Sequence, residues 1–214
     1  GEMYGSKLTA IYTGNETVSY QWYRNDAAIN GATESTYMLT AADVGKTVKV
    51  VVSGTGNYQG SVSAQTTKAV EKATPVYEIP SDLTATYGQK LGNVTLPDGW
   101  CWDDAAQSVG NAGRGTFAAT YTPEDTTNYN VVEAELSVTV EKAPLTVTAV
   151  DTIIYYGDAP ANHGVSYSGF VNGENNSVLD GTLDFTYSYA QYGNVGSSYT
   201  ITPKGLTSDN YAII

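Results

Sequence analysis

The sequence repeats itself at a fixed period, and this repeat constrains the fold more than any other feature. The tetrapeptide Val-Glu-Lys-Ala occupies residues 70–73 and returns at residues 140–143. Two dipeptides keep step with it: Tyr-Gly at 4–5, 87–88 and 156–157, and Asn-Tyr at 57–58, 128–129 and 210–211. Self-similarity at a fixed period indicates one small unit copied in tandem. We therefore predict three modules, at residues 1–73, 74–143 and 144–214, joined by short linkers at Ala73 and Ala143.

Each of the two outer modules is predicted to lack one strand of the repeat. Tyr87 lies 14 residues after Ala73, whereas only three residues precede Tyr4, so we expect module 1 to lack its first strand. Val140 lies 11 residues after Tyr129, but only three residues follow Tyr211, so we expect module 3 to lack its last strand. Strand edges left without a partner are templates for pairing with another strand.

Composition and alternation predict an all-β chain. Tyrosine (18 residues) and glycine (22 residues) are abundant, and no long run shows helical periodicity. Residues 17–23 alternate so that Val18, Tyr20 and Trp22 share one face of a strand, which predicts Trp22 in the core. A module of about 70 residues buries little surface on its own, so packing at the linkers should add to stability.

Charge and residue counts exclude several classes of function. The net charge of −12 argues against nucleic acid or an anionic membrane as a partner, because the field of the protein would repel phosphates. One cysteine and one histidine leave no internal disulfide and no Cys/His zinc site. No nucleophile has a base at a recognised spacing. We therefore expect no enzyme activity, no cofactor, no metal and no membrane contact by this segment.

Module 1 resembles the bacterial immunoglobulin-like repeats of cell-surface proteins. The resemblance is carried by Tyr-Gln-Trp-Tyr-Arg-Asn at 20–25, Ile-Asn-Gly-Ala-Thr at 29–33 and Leu-Thr-Ala-Ala-Asp-Val-Gly-Lys at 39–46. It implies a β-sandwich in which Trp22 is the core tryptophan of the third strand. Asp43 and Gly45 then form the corner before the sixth strand. Both cysteines of antibody domains are missing, so this core relies on packing alone.

Modules 2 and 3 resemble repeats of large bacterial surface proteins. Module 2 carries Leu-Pro-Asp-Gly-Trp at 96–100 and Ala-Thr-Tyr-Thr-Pro-Glu-Asp at 119–125, and is similar to a repeat of Gram-positive gut bacteria. Module 3 carries Tyr156-Gly157 and Ser-Gly-Phe-Val-Asn-Gly-Glu at 168–174, and resembles the YGX-type MBG domain found in tandem in bacterial adhesins. A short helical turn at 173–179 would leave a β-grasp-like fold as the alternative to an immunoglobulin-like sandwich for modules 2 and 3.

These resemblances imply an extracellular segment on the bacterial cell surface. We expect a non-catalytic spacer in a secreted or cell-wall-attached protein, which projects an adhesive or enzymatic region and contacts neighbouring repeats of the same chain. The alternative is an adhesin module that binds a host glycan or an extracellular protein. Its candidate stacking residues are Trp100 and Trp102, although aromatic side chains of strands also pack inward. A second candidate patch comprises Tyr187, Tyr189 and Tyr192.

Overall fold

A computed structural model describes residues 2–196 and 198–214. These residues form fifteen β-strands and three 3-10 helices of three residues each, with no α-helix among them. The chain divides into two compact units, one of residues 1–78, 98–100 and 120–134, the other of residues 79–97, 101–119 and 135–214. The predicted all-β class is confirmed. Among the described residues of modules 2 and 3, no helix is long enough to cover a sheet, as the β-grasp alternative requires.

Unit 1 contains two sheets that enclose one core. β1 (Lys7–Thr9) pairs with β4 (Thr36–Met38) in an antiparallel two-stranded sheet. The second sheet has the order β3-β2-β5-β6, with β2 at Val18–Arg24, β3 at Ala27–Ala28, β5 at Val48–Gly54 and β6 at Ser61–Gln65. All its pairs are antiparallel, and Trp22 lies opposite Val50. Module 1 is therefore a small β-sandwich of the immunoglobulin-like class.

The core of this sandwich is built by alternation in β2 and β5. Trp22 is 3% exposed, its indole N–H donates to the carbonyl of Glu34 at 2.9 Å, and its ring stacks on Tyr37 of the other sheet. Val48 and Val50 are buried on the face that Trp22 covers. The prediction that Trp22 lies in the core is confirmed.

The corner before β5 holds a fully buried carboxylate. Asp43 ends the 3-10 helix Ala41–Asp43 and accepts hydrogen bonds from Arg24 Nε (2.6 Å), Tyr37 Oη (2.9 Å) and both the amide and the hydroxyl of Thr40 (2.7 Å each). Burial alone would raise the pKa of Asp43, but these hydrogen bonds outweigh it and hold the pKa below its ordinary value. The corner predicted at Asp43 and Gly45 is thus a charged, hydrogen-bonded centre.

The sheet of module 2 has the order β7-β10-β9-β8. Its strands are β7 (Leu83–Thr86), β8 (Trp100–Trp102), β9 (Gly113–Tyr121) and β10 (Val132–Glu141). β10 runs parallel to β7, with Val138 opposite Leu83 and Val140 opposite Ala85. Alternation along β10 buries one apolar face and leaves the glutamates in solvent.

Module 3 is formed by two smaller sheets. β11 (Ala143–Ala149) pairs in parallel with β15 (Tyr211–Ile213) and antiparallel with β12 (Val165–Ser168). β13 (Asp180–Tyr187) and β14 (Ile201–Thr207) form a separate antiparallel pair. The helical turn predicted within 173–179 is the 3-10 helix Asn176–Val178. The third 3-10 helix, Leu91–Asn93, lies in module 2.

Unit 2 has one buried apolar cluster, and this cluster draws on two modules. Module 2 contributes Ala85, Tyr87, Leu91, Val94, Val109, Phe117, Val138, Val140 and Ala143, and module 3 contributes Leu145 and Tyr211. Phe170 and Val171 of module 3 pack against the same cluster. Modules 2 and 3 therefore share a core. No helix among the described residues is long and apolar enough to cross a membrane.

Candidate functional site: the joints between repeats

The repeated tetrapeptide lies where two modules meet, and its two ends bond to different modules. At the first joint, residues 70–73, the carbonyl of Glu71 accepts a hydrogen bond from the amide of Tyr4 in module 1 (2.9 Å). Two residues later, the amide of Ala73 donates to the carbonyl of Asn128 in module 2 (2.9 Å). The linker is therefore held to both modules by isolated β-bridges.

The second joint, residues 140–143, repeats this arrangement. The amide of Tyr87 in module 2 donates to the carbonyl of Glu141 (2.8 Å), and the amide of Ala143 donates to the carbonyl of Asn210 in module 3 (2.9 Å). The tyrosine belongs to a Tyr-Gly dipeptide and the asparagine to an Asn-Tyr dipeptide at both joints. The Val-Glu-Lys-Ala tetrapeptide, a Tyr-Gly dipeptide and an Asn-Tyr dipeptide thus meet at each joint.

The other positions of the tetrapeptide also have matching contacts at the two joints. Val70 and Val140 are 1% and 3% exposed and anchor the linker in the core of the preceding module. Lys72 Nζ donates to the carbonyl of Thr126 at 2.6 Å, and Lys142 Nζ donates to the carbonyl of Ser208 at 2.6 Å. In both cases the acceptor lies two residues before the Asn-Tyr asparagine. The lysines therefore attach the linker to the following module.

The two tyrosines of each joint pack edge to face. The rings of Tyr4 and Tyr129 are 5.3 Å apart at 88°, and the rings of Tyr87 and Tyr211 are 5.5 Å apart at 82°. Such a geometry is the preferred one for aromatic pairs. In the sequence these dipeptides mark the phase of the repeat, and no local pattern predicted that their rings touch. The available signal was that both dipeptides recur in the same order around each linker.

Glu174 adds a polar centre to the second joint. Its carboxylate accepts a hydrogen bond from Tyr87 Oη at 2.7 Å and a second one from Tyr211 Oη. The amide of Val171 donates to Tyr211 Oη at 3.0 Å. Burial and the bond to Glu174 raise the pKa of Tyr211 to about 12. The pKa of Tyr87 is raised by its bond to Glu174 and by burial, so both phenols donate at neutral pH.

Asn210 fastens the second joint to a loop of module 2. Its side-chain oxygen accepts a hydrogen bond from the amide of Ala112 at 2.9 Å, and its side-chain nitrogen donates to Asn111 at 3.2 Å. At the first joint the corresponding Asn128 instead donates to Asp125, within its own module, at 2.7 Å. The second joint therefore has more contacts between side chains of different modules than the first.

The glycine of each of the three in-phase Tyr-Gly dipeptides has a left-handed backbone, and at one of them space is also restricted. The φ angles of Gly5, Gly88 and Gly157 are +75°, +91° and +93°. A Cβ atom on Gly88 would lie 2.6 Å from a methyl carbon of Val171 in module 3, whereas nothing lies within 4 Å of one on Gly5. On Gly157 the nearest atom is 3.6 Å away, in Tyr192. Only Gly88 is held against a following module.

This difference predicts unequal effects of alanine at three equivalent positions. Gly5→Ala and Gly157→Ala should each cost about 1–2 kcal/mol, the price of a left-handed backbone for an L-residue. Gly88→Ala should cost about 1–3 kcal/mol more, because its new methyl group displaces Val171. Urea denaturation of the three variants measures these costs. Equal destabilisation at all three positions would mean that the approach of Val171 to Gly88 contributes nothing.

The two tryptophans proposed for sugar stacking lie against the protein. Trp100 is 9% exposed, its indole N–H donates to the carbonyl of Glu78 at 3.1 Å, and its ring lies 5.5 Å from that of Tyr121. Trp102 is partly buried against the core of unit 2 and donates to the carbonyl of Val94 at 3.0 Å. Trp100 therefore exposes little of its surface and Trp102 somewhat more, and sugar stacking at these positions stays a prediction.

Two of the three tyrosines of the second aromatic candidate line a cavity of about 770 Å³ in module 3. Tyr187 and Tyr189 line the cavity, and Tyr192 is 68% exposed with its ring 6.4 Å from that of Tyr156. Residues 152–156 form one side of the cavity. No group of three or more His, Cys, Asp or Glu side chains in the described ranges is arranged to hold a metal ion.

Module 3 is the part of the chain that matches a known protein family. No curated protein matches the chain. Among solved structures, the three N-terminal domains of the bacteriophage RB49 Highly Immunogenic Outer Capsid protein (Hoc) are 16% identical, over 96% of this chain and 76% of that chain, with a TM-score of 0.39. Residues 145–214 match the family model of the MBG domain (YGX type), a domain found in bacterial surface proteins. The resemblance of module 3 to the YGX-type MBG family is thereby confirmed.

Proposed function

We propose that this chain is a non-catalytic spacer within a repeat array of a bacterial surface protein. The observation that carries the proposal is the recurrence of the joint: the same tyrosine pair, lysine contact and paired linker occur at residues 70–73 and again at 140–143. We interpret these repeated residues as contacts that attach one module to the next. An array in which each module contacts only its neighbours spans distance by adding copies.

The linkers suit a spacer that resists bending at its joints. Residues 70–73 and 140–143 contain no glycine, serine or proline, which are the residues that make linkers flexible or extended coils. Their backbone groups are bonded to the module before and to the module after. Bending at a joint would therefore break several hydrogen bonds and separate a packed tyrosine pair.

The location and the partners proposed are those of a surface array. The MBG match supports a place outside the cell, on a cell-wall-attached or secreted bacterial protein. Neighbouring repeats of the same chain are the partners that the joints support. The net charge of −12 disfavours nucleic acid. Among the described residues, Asp43 has the one fully buried carboxylate, and it accepts four structural hydrogen bonds, which favours a non-catalytic role.

A recognition role is the second candidate, and the aromatic cavity of module 3 is the observation in its favour. Tyr155, Tyr187, Tyr189 and Tyr199 line this cavity, and tyrosines around a concavity suit a host glycan or an extended protein segment. This adhesin role would be seen as saturable binding of the chain to immobilised mucin glycans, lost on Tyr155→Ala. Tyr155 is 81% exposed, so that variant should fold normally.

Stiffness of the second joint tests the spacer directly. In a Cys101→Ser background, spin labels at the exposed positions 107 and 180 report the distance between modules 2 and 3 by pulsed electron resonance. We expect a narrow distance distribution in this chain and a broad one after insertion of Gly-Ser-Gly-Ser behind Lys142. Double-labelled protein with a broad distribution before any insertion would contradict a spacer that holds its modules apart.

A further inference from the structure

The two joints differ in how much of the fold must open before the lysine of the linker becomes accessible. Each tetrapeptide carries one lysine, Lys72 at the first joint and Lys142 at the second. A protease that cuts after lysine binds its substrate as an extended segment with free backbone groups. Because both linkers are bonded to the modules on either side, each linker has to leave those modules before it can be cut.

Few buried groups hold the first linker in place. Within residues 69–75, Val70 and Pro75 are buried, and the other side chains are exposed or half-buried. The buried cluster of module 1 consists of residues of that module alone. Across the joint, the ring of Tyr129 packs on Tyr4 at its edge. The first joint can therefore open while the core of module 1 stays intact.

The asparagine of each joint shows the same difference. The side-chain oxygen of Asn128 is buried at the first joint and has no hydrogen-bond partner among the described residues. At the second joint, the corresponding oxygen of Asn210 accepts a hydrogen bond from the amide of Ala112 at 2.9 Å. A buried acceptor without a donor destabilises the closed state, since water satisfies the same oxygen once the joint opens. This oxygen therefore favours opening of the first joint.

The second linker, in contrast, is part of a core. Val140, Ala143 and Leu145 are 3%, 2% and 0% exposed, and all three belong to the buried cluster that modules 2 and 3 share. Freeing residues 139–145 withdraws these side chains from the cluster, and this amounts to unfolding of unit 2. The bond after Lys142 is therefore protected by the stability of the whole unit.

We propose that the first joint is a protease-sensitive joint, at which a serine protease with a lysine-binding pocket separates module 1 from modules 2 and 3. The reaction is hydrolysis: one water is consumed, the bond between the carbonyl carbon of Lys72 and the nitrogen of Ala73 breaks, and a carboxylate and an amino group form. When opening and closing are fast relative to cutting, the rate follows the population of the open state. The first joint opens locally, so it is cut first. This inference rests on the difference between the joints and is independent of the spacer role.

The test is limited digestion of the intact chain with trypsin, with the new chain ends identified by mass spectrometry. Lys68→Gln is the background, because Lys68 is exposed just before the linker and offers a competing site. The rates of cutting after Lys72 and Lys142 are divided by those of peptides 69–78 and 139–148, which corrects for local sequence. We expect the scaled rate after Lys72 to be about tenfold higher or more. Equal scaled rates, or a faster cut after Lys142, would overturn the proposal.

A variant of the tyrosine pair tests whether opening of the joint is what exposes the lysine. Tyr129→Ala removes the ring that packs on Tyr4, and because Tyr129 is half-buried the variant should still fold. We expect cutting after Lys72 to become about tenfold faster and cutting after Lys142 to stay unchanged. Tyr58→Ala is the matched control, since this tyrosine of the same dipeptide is 50% exposed, and it should change neither rate. An unchanged rate after Lys72 in Tyr129→Ala would also overturn the proposal.

Discussion

Tyr211→Ala is expected to lower the free energy of unfolding of unit 2 by about 3–5 kcal/mol, the range for truncating a large buried aromatic side chain. Tyr211 is 2% exposed, and its ring packs edge to face on Tyr87 and on Phe170. Its hydroxyl donates to Glu174. The alanine variant loses all of these contacts at once, and it leaves a cavity in a core that two modules share.

Denaturation in urea, followed by circular dichroism and tyrosine fluorescence, measures this loss. Tyr58→Ala is the matched control, because Tyr58 belongs to the same dipeptide in module 1 but is 50% exposed; its change should stay within about 0.5 kcal/mol. Tyr211→Phe keeps the ring and removes only the hydroxyl, so an intermediate loss of about 1–3 kcal/mol is expected. Equal stability of the Tyr211→Ala and Tyr58→Ala variants would show that the second joint does not depend on its tyrosine pair.

The shared core also sets the expected cooperativity of unit 2. The buried cluster contains Val138 and Val140 from module 2 and Leu145 and Tyr211 from module 3, with no gap between them. Modules 2 and 3 should therefore unfold in one transition, whereas the core of module 1 is a separate cluster. Weakening the second joint should first appear as a separation of that single transition into two.

Local periodicity was sufficient to predict much of the fold. Alternation in residues 17–23 predicted β2 and placed Trp22 in the core. These predictions succeed because a strand with one buried face must alternate along the sequence. The same rule, applied to β8, would have placed Trp100 and Trp102 on one face with Cys101 opposite. The structure shows this arrangement: Cys101 is exposed and both tryptophans pack inward.

Contacts between modules could not be predicted in the same way. Tyr87 meets Tyr211 and Glu174 across a joint, and no local pattern encodes partners so far apart in the chain. The repeat showed that the Tyr-Gly and Asn-Tyr dipeptides recur in every module, but it did not show that their tyrosines touch. Module 3 departs from module 2 for a related reason: residues 152–155 match β7 in place, but a strand forms only when a partner is beside it.

At Asp43 the sequence predicted the position of the corner, but it did not predict the interactions that stabilise that corner. The Asp-x-Gly pattern predicted a corner, and a corner needs no buried charge. The ion pair with Arg24, 19 residues away in sequence, depends on how β2 packs beside the 3-10 helix Ala41–Asp43. The Asp43 carboxylate is 0% exposed, so bulk water does not reach it. The stability of the folded corner therefore depends on every hydrogen bond that this carboxylate accepts.

Asp43→Ala is accordingly expected to destabilise module 1 by about 3–5 kcal/mol, since it leaves the Arg24 guanidinium without its buried partner. Asp43→Asn keeps the shape, removes the charge and turns one of the two acceptor oxygens into an N–H2 donor. Asp26→Asn is the matched control, because Asp26 forms an ion pair with Lys49 at a side chain that is 81% exposed. Exposed pairs contribute little, so this control should unfold at the same urea concentration as the unsubstituted chain.

The pH dependence distinguishes loss of the buried charge from simple loss of packing. The pKa of Asp43 is lowered by folding, so its contribution to stability is complete above the unfolded pKa of about 3.9 and is lost as the pH falls through the folded value. Unfolding of the unsubstituted chain should therefore become easier on acidification below about pH 5. In the Asp43→Asn variant this acid-dependent loss should be smaller, whereas Asp26→Asn should keep it. Identical acid slopes in all three proteins would mean that Asp43 stabilises the corner through its shape and hydrogen bonds alone, without its charge.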